Sequence, residues 1–398
     1  MSDRIGFDLG QVLEGVRLFV HDFAETQLRP LAREADEKGK VEAHIIESLG
    51  RIAGGRASIV PDEGRSREGV GISNQLSVIG AEELAWGDAA MILNIPGPGL
   101  AGPSIKAAGT PEQKQRFLTE VFSSDEPRFG ALAVTEAQAG SDVSNVRTTA
   151  VRDGDEWVLN GTKVFCTNGA RADVLVVNAT VDRSLGRAGQ KLFVVERGAP
   201  GLRVGKIEKK LGLTASETAE LVFEDCRIPF GNILGGEAAL APASDAGGFR
   251  GTMKTFDSSR PSVAAMAVGI GRAAFEYVRD WAADEIPAHS RRRPFVELKL
   301  ATMERELEAS RLLCHRAAWM ADARIPNSKE ASMSKAYAPA AALRACIGAI
   351  ETMGPEGYSK EHLVEKWYRD IKVYDIFEGT GQINRVVISR AILGRLDG

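Results

Sequence analysis

Cysteine and histidine are scarce in this chain of 398 residues, which holds four of the first and five of the second. Cys166, Cys226, Cys314 and Cys346 lie far apart, without the paired spacing of a metal site, and read as free thiols of a reducing compartment. The histidines form no ligand cluster, which argues against a zinc or iron centre. No apolar stretch approaches the ~18 residues a membrane span needs, and Met1–Leu9 lacks a charged-then-apolar leader pattern. A cytoplasmic protein with no membrane span is therefore expected. Basic charge is not concentrated either. Lys and Arg number 50 against 54 acidic residues, spread along the chain for a net charge of −4, which excludes nucleic acid as a partner. The one basic run, Arg291–Arg293, reads as a solvated loop. No GxGxxG opens a helix after a strand, so a dinucleotide fold of alternating strand and helix has no support.

What is present is enough apolar residue, 44% of the chain, for two or three cores. Leu13, Val16, Phe19, Val20 and Phe23 recur at helical spacing, and Pro30 ends that run. Helical pattern continues through 45–52, 76–84 and 111–121, broken by Gly- and Pro-rich stretches at 61–71 and 96–103. From Gly130 the period changes. Short valine-rich runs of strand length follow at 131–135, 157–160, 174–177, 192–195, 202–207 and 221–223, and Asp153–Asp155 and Asn160–Gly161 read as hairpin turns. After Gly235 the helical period returns in long blocks at 262–282, 296–321, 328–353 and 382–393. The expected fold is α+β: an N-terminal helical domain over 1–127, a middle β domain over 128–237, and a C-terminal four-helix-bundle domain over 238–398.

Four segments concentrate residues with chemical potential. Ala133–Asp142 (AVTEAQAGSD) leaves a strand with small residues that permit close approach of the backbone, and with two hydroxyls, Thr135 and Ser141. Read alone, it is a Gly/Ser turn. Trp157–Gly169 (WVLNGTKVFCTNG) is a strand pair carrying Phe165, Cys166 and Thr167. Phe256–Pro261 (FDSSRP) opens a long helix, where Asp257 and the serines also suit a cap and Arg260 a solvated site. Tyr368–Gln382 (YRDIKVYDIFEGTGQ) sets Glu378 beside Ile376 and Phe377, whose apolar surroundings would raise a carboxylate toward operating pH. Taken singly, Glu378 also reads as a surface acid near a helix start.

In this order and spacing, and with Leu221–Pro229 closing the β region, the segments resemble the acyl-CoA dehydrogenase family over nearly the whole chain. The resemblance implies FAD as cofactor, held by Leu132, Val134, Thr135, Gly140, Ser141, Phe165, Cys166, Thr167, Thr380 and Gln382. By the same resemblance, Thr135 contacts the isoalloxazine, Phe165 covers it, and Thr167 bonds near its reactive nitrogen. Ser141, Asp257, Arg260 and Gly379 are implied at the acyl-CoA substrate, and Glu378 is implied as the base that removes the α-proton of the thioester. An electron-transfer flavoprotein is the implied acceptor and a tetramer the implied assembly. A carrier-protein-linked desaturase and a non-catalytic subunit are the competing functions. Some members place the base near the position of Arg260, where this chain has Ser258 and Ser259, neither of which is a carboxylate.

Three departures from the family pattern stand out. The Arg-x-x-Phe-Gly segment is replaced by Asp284–Pro294, and Gln-x-x-Gly-Gly by Glu351–Pro355. Both elements grip a neighbouring subunit's flavin in the family, and an acid facing a pyrophosphate is unfavourable. The expectation is either a heterotetramer, in which a related subunit supplies the grip, or a homotetramer in which Arg291–Arg293 takes over. The third departure, Asn94–Pro103, interrupts a usually helical region. It is compatible with a widened acyl chamber or with plain loop irregularity.

Overall fold

The computed structural model describes residues 10–52, 72–124, 126–241 and 247–394, with side chains of the last segment from Ser259 onward. The first periodic block forms α1 (Gly10–Phe23), which passes through a π turn at Ala24–Leu28 and a 3-10 turn at Pro30 into α2 (Ala32–Lys38). Two further helices, α3 (Ala43–Ile52) and α4 (Ser73–Ile92), complete the N-terminal layer. Helix α4 is buried on nearly every side and kinks at Asp88 (φ −159°, ψ 119°). The Asp88 carboxylate restarts the helix by accepting from the N–H groups of Ala90 and Met91 at 2.9 and 2.8 Å.

The Gly/Pro stretch after α4 has a packing role. Gly97 exchanges backbone hydrogen bonds with Arg128 and Gly130, and a Cβ on Gly99 would stand 2.5 Å from the Gly130 carbonyl. Only residues without side chains allow that approach, which seats the loop on the first strand before α5 (Ala101–Ala108) and α6 (Pro111–Lys114).

Seven strands follow: β1 (Gly130–Ala133), β2 (Thr149–Asp153), β3 (Glu156–Thr167), β4 (Val174–Thr180), β5 (Gln190–Glu196), β6 (Leu202–Ile207) and β7 (Thr218–Pro229). They run in the order β1-β4-β2-β3-β7-β6, with β5 on β4. Asn160–Gly161, expected as a hairpin turn, instead lies inside β3 at a register shift against β7. The reason is local. Asn160 is held by a reciprocal pair of bonds with Asp225 at 3.1 and 2.9 Å, and Gly161 (φ 150°) leaves room for Thr148 where a Cβ would clash.

The closing region consists of α7 (Gly247–Glu285), α8 (Arg293–Asp322), α9 (Ser328–Met353), α10 (Pro355–Tyr358), α11 (Val364–Ile371) and α12 (Gly381–Leu393). Helix α7 starts well before the expected opening at Phe256 and runs through Pro261, about 58 Å in all. It packs along α4, α8 and α9, and α12 lies across α9. Asp322 at the end of α8 caps α4 by accepting from the N–H groups of Asn74 and Gln75 at 2.9 and 3.0 Å. One apolar cluster joins α1 and α4 to α7, α8, α9 and α11, so the two helical regions share a core, while the sheet has its own around Trp157, Phe193 and Phe223. The seam between them is tied by a buried ionic set. Lys366 Nζ donates to Asp88 at 2.6 Å and to Asp370 at 2.5 Å, and Asp370 accepts from the Leu213 N–H at 2.6 Å.

Candidate active site

Glu378 sits on the turn between α11 and α12, in left-handed backbone (φ 54°) and followed by Gly379 (φ 90°). For a residue with a Cβ that conformation costs about 1–2 kcal/mol, and it persists because the surroundings fix both flanks. Downstream, the Thr380 hydroxyl caps α12 by accepting from the Ile383 N–H at 3.2 Å. Asn384 Nδ2 donates to the Gly379 and Thr380 carbonyls at 2.8 and 3.0 Å. Upstream, Tyr374 is fully buried, with Phe377 edge-on to it at 5.0 Å.

The Glu378 carboxylate accepts from Ser259 Oγ of α7 at 2.6 Å, and Lys335 of α9 lies beneath the turn. Burial raises the carboxyl above the ordinary glutamate value, against the Ser259 hydrogen bond and the Lys335 and Arg260 charges, which lower it. Its shielding does not come from both expected neighbours. Phe377 packs toward the core, but Ile376 is 61% exposed. Ser259, read as a possible helix cap and as no carboxylate, proves to be the hydrogen-bond partner of Glu378. A hydroxyl in a serine pair gives no signal in sequence that it faces a glutamate 119 residues away.

Arg260, expected at the substrate, is only 4% exposed and stands behind the turn, with Nε 3.5 Å from the Glu378 carbonyl and Nη1 3.4 Å from Ser332 Oγ. The Asp257 side chain lies outside the described residues. Gly379 is part of the turn itself, and Gln382 is exposed on the first turn of α12.

The β-domain residues gather on a second face. The Val164 N–H donates to the Thr135 carbonyl at 2.9 Å, joining the segment after β1 to the end of β3. Beneath this junction Lys163 is fully buried and donates to the Val134 carbonyl at 3.0 Å and to Glu136 at 2.7 Å. Glu136 also accepts from Gln138 Nε2, the N–H groups of Arg147 and Thr148, and Thr148 Oγ1, five donors in all. Neither Lys163 nor Glu136 was a sequence candidate, although both lie inside the segments that were. On top, Phe165 is held in left-handed backbone (φ 58°) with 63% of its surface exposed. Thr135 and Thr167 are partly exposed beside it, and Gly140 and Ser141 are open. Leu132 packs, partly buried, between the sheet and the helices beside it, and Cys166 is buried in the sheet's own cluster, where burial pushes its thiol up to about 12.

The two departures near the family's flavin grip resolve into local structure. Glu351 pairs with Lys299 at 2.7 Å. Arg292 donates to the Thr352 carbonyl at 2.8 Å, and Arg293 donates to the Ala282 and Ile286 carbonyls at 3.1 and 2.9 Å, closing the end of α7. Among the described residues no group of three His, Cys, Asp or Glu is arranged to hold a metal, and no helix is long and apolar enough to cross a membrane.

A shielded carboxylate on a fixed turn thus belongs to a three-part protein whose sheet, set between helical regions, displays an exposed aromatic and two threonines. Comparison with known proteins specifies it. The family descriptions "Acyl-CoA dehydrogenase, N-terminal domain", "middle domain" and "C-terminal domain" match residues 13–125, 131–226 and 246–393. The short-chain specific acyl-CoA dehydrogenase of Bos taurus is 37% identical, covering 97% of this chain and 91% of its own. The acryloyl-CoA reductase (NADH) of Anaerotignum propionicum is 35% identical over 98% and 97%. The butyryl-CoA dehydrogenase structure from Megasphaera elsdenii superposes with a TM-score of 0.88 at 32% identity, covering 98% and 100%. The chain belongs to the acyl-CoA dehydrogenase family and is an enzyme of that family, whose members are flavoproteins with FAD as cofactor. The site residues fit that group: a flat aromatic face is already displayed at Phe165, with hydroxyl donors beside it and open space over Gly140.

Proposed function

We propose that the protein dehydrogenates an acyl-CoA thioester between Cα and Cβ, with Glu378 as the base. The observation that carries this reading is the Glu378 carboxylate, shielded, raised in pKa and aimed by the Ser259 hydroxyl from a turn fixed at both ends. A thioester acidifies its α-carbon, and a base whose pKa is raised toward operating pH takes that proton with a gain of roughly 10²–10⁴-fold. Phe165, Thr135, Thr167 and the open Gly140–Ser141 backbone are the residues that would hold FAD, which would supply the acceptor for the hydride of Cβ. The product is a 2-enoyl thioester. Glu378 then carries the abstracted proton and releases it to solvent as the product leaves.

The names of the relatives favour a short acyl chain, and butyryl-CoA is the first substrate to try. An electron-transfer flavoprotein is the proposed acceptor, and the cytoplasm the proposed location. For assembly we favour a heterotetramer over a homotetramer. Arg292, Arg293 and Glu351 are all engaged within their own chain, which leaves the neighbour's flavin without their help. Full flavin occupancy of the lone chain, unchanged by co-expression with related subunits, refutes the heteromer.

Glu378→Gln tests the central claim. The variant should keep FAD and bind acyl-CoA, while turnover of butyryl-CoA falls by at least the ~10²-fold expected of a positioned base. Turnover near wild type removes Glu378 as base. Turnover only of carrier-bound thioesters by the wild-type enzyme moves the substrate class to carrier proteins.

A further inference from the structure

Lys335 is 0% exposed and belongs to none of the four segments read as bearing chemistry in the sequence. Its ammonium donates to the Tyr374 carbonyl at 2.5 Å and to the Gly379 carbonyl at 3.2 Å, so a single nitrogen ties together the two ends of the turn that carries Glu378. It also lies 5.9 Å from the centroid of the Phe377 ring, inside the same turn. A fully buried lysine without a carboxylate in hydrogen-bonding contact is costly, and apolar residues could fill the same volume. Burial pulls its pKa down to about 8, opposed by the charges of Glu378 and Asp375.

We infer that Lys335 is a positioning residue for the reaction: it fixes the left-handed geometry of Glu378 by clamping the Tyr374 and Gly379 carbonyls, and its positive charge favours the ionised base. This rests on the reading of Glu378 as the base. The geometry has a direct consequence. With the Gly379 carbonyl held by both Lys335 and Asn384, the Gly379–Thr380 peptide is not free to flip, and movement there would loosen the turn that keeps the carboxylate against Ser259. The charge has a second consequence, in the pH at which the base becomes competent. The groups facing Glu378 are Ser259 and Arg260 from α7, Lys335 from α9, and Tyr374 and Asp375 from its own turn, with the Asp88–Lys366–Asp370 set beyond Tyr374. Removing the Lys335 cation therefore leaves Arg260 as the one positive charge acting directly on the carboxylate among the described residues, and the base should ionise only at higher pH.

The test uses the FAD-loaded full-length enzyme with butyryl-CoA. It measures kcat, KM and the pH profile of kcat/KM for wild type, Lys335→Met, Lys335→Gln and Lys335→Arg, with Glu378→Gln alongside. Lys335→Met should lower kcat by up to about 100-fold, the scale of a misplaced catalytic group, with KM changed by less than about threefold. Its acidic limb should move to higher pH. Lys335→Gln keeps a donor without the charge and should move the limb with a smaller loss of kcat, while Lys335→Arg should return the limb toward its wild-type position. A Met variant with wild-type kcat and limb overturns the inference. If that variant is not recovered with FAD, an unmoved limb in Lys335→Gln overturns it instead. An inactive Glu378→Gln together with unmoved Lys335 variants removes only the positioning role. A fully active Glu378→Gln removes the base reading, and this inference with it.

Discussion

Replacing Lys366 by methionine should be among the most destabilising single changes in this protein. The lysine and both its carboxylate partners are 1% exposed, and each bond is short, so the Asp88 and Asp370 oxygens lie at most about 5 Å apart across the nitrogen. Without the cation, two like charges at about 5 Å repel by about 3 kcal/mol at an effective dielectric constant of 20. Breaking a buried ionic set by removing one member costs about 3–5 kcal/mol, which agrees. The loss should depend on pH. Burial raises Asp370 above the ordinary aspartate value, with Asp88 adding to the effect and Lys366 opposing it, while Lys366 itself is raised by both carboxylates against burial. In wild type the lysine's contribution is thus fully present below its unfolded pKa and is lost only as pH rises through the higher folded value. In the variant Asp370, already raised by burial, loses the opposing cation and is raised further. The variant's deficit should therefore grow as pH rises from 5 to 8 and fade below the ordinary carboxylate range. Urea unfolding of the FAD-saturated protein, followed by tryptophan fluorescence with Trp367 as the adjacent reporter, measures this. Adding Asp370→Asn to Lys366→Met removes one of the like charges and should recover about half the loss. A deficit below about 1 kcal/mol, or one indifferent to pH, refutes the reasoning.

Three shorter predictions accompany it. Because burial raises the Glu378 carboxyl, its ionisation opposes folding at pH values above the folded pKa and costs nothing below the unfolded one. Glu378→Gln should therefore melt at higher temperature than wild type at pH 8, with the difference vanishing near pH 4. Lys163→Met leaves Glu136 with four of its five donors and should cost about 3 kcal/mol, the low end for a broken buried pair, together with weaker FAD retention on a desalting column. Phe165→Gly removes both the aromatic face and the left-handed strain. The apo protein should be no less stable in thermal melts, while FAD affinity by fluorescence titration falls about 2- to 10-fold, the worth of an aromatic contact.

Sequence periodicity carried the architecture well where helices were long. The blocks at 328–353 and 382–393 coincide with α9 and α12 to within a residue, because their apolar spacing is sustained over several turns. Asn160–Gly161 misled because a turn dipeptide and a strand bulge ask for the same backbone freedom, and only the pairing of Asn160 with Asp225 distinguishes them. At the site, Glu378 and the Phe165 segment were legible as contiguous motifs. Ser259, Lys335, Glu136 and Arg260's inward orientation were not, since each acts through contacts made by chain segments distant in sequence. The charge of a lysine such as Lys335 reads as surface in a sequence, and only the clamp on two carbonyls explains why it is inside.

The five-donor setting of Glu136 also bears on how this β domain can change over evolutionary time. Replacing the glutamate by an apolar residue leaves the N–H groups of Arg147 and Thr148 without their acceptor and Lys163 with the Val134 carbonyl alone, so such a change at this position alone should give a poorly folded β domain. The stretch from Val134 to Lys163 is therefore expected to change together rather than piecemeal. Chimaeras that exchange segments with relatives should tolerate crossovers outside that stretch and fail when a crossover separates Glu136 from Lys163.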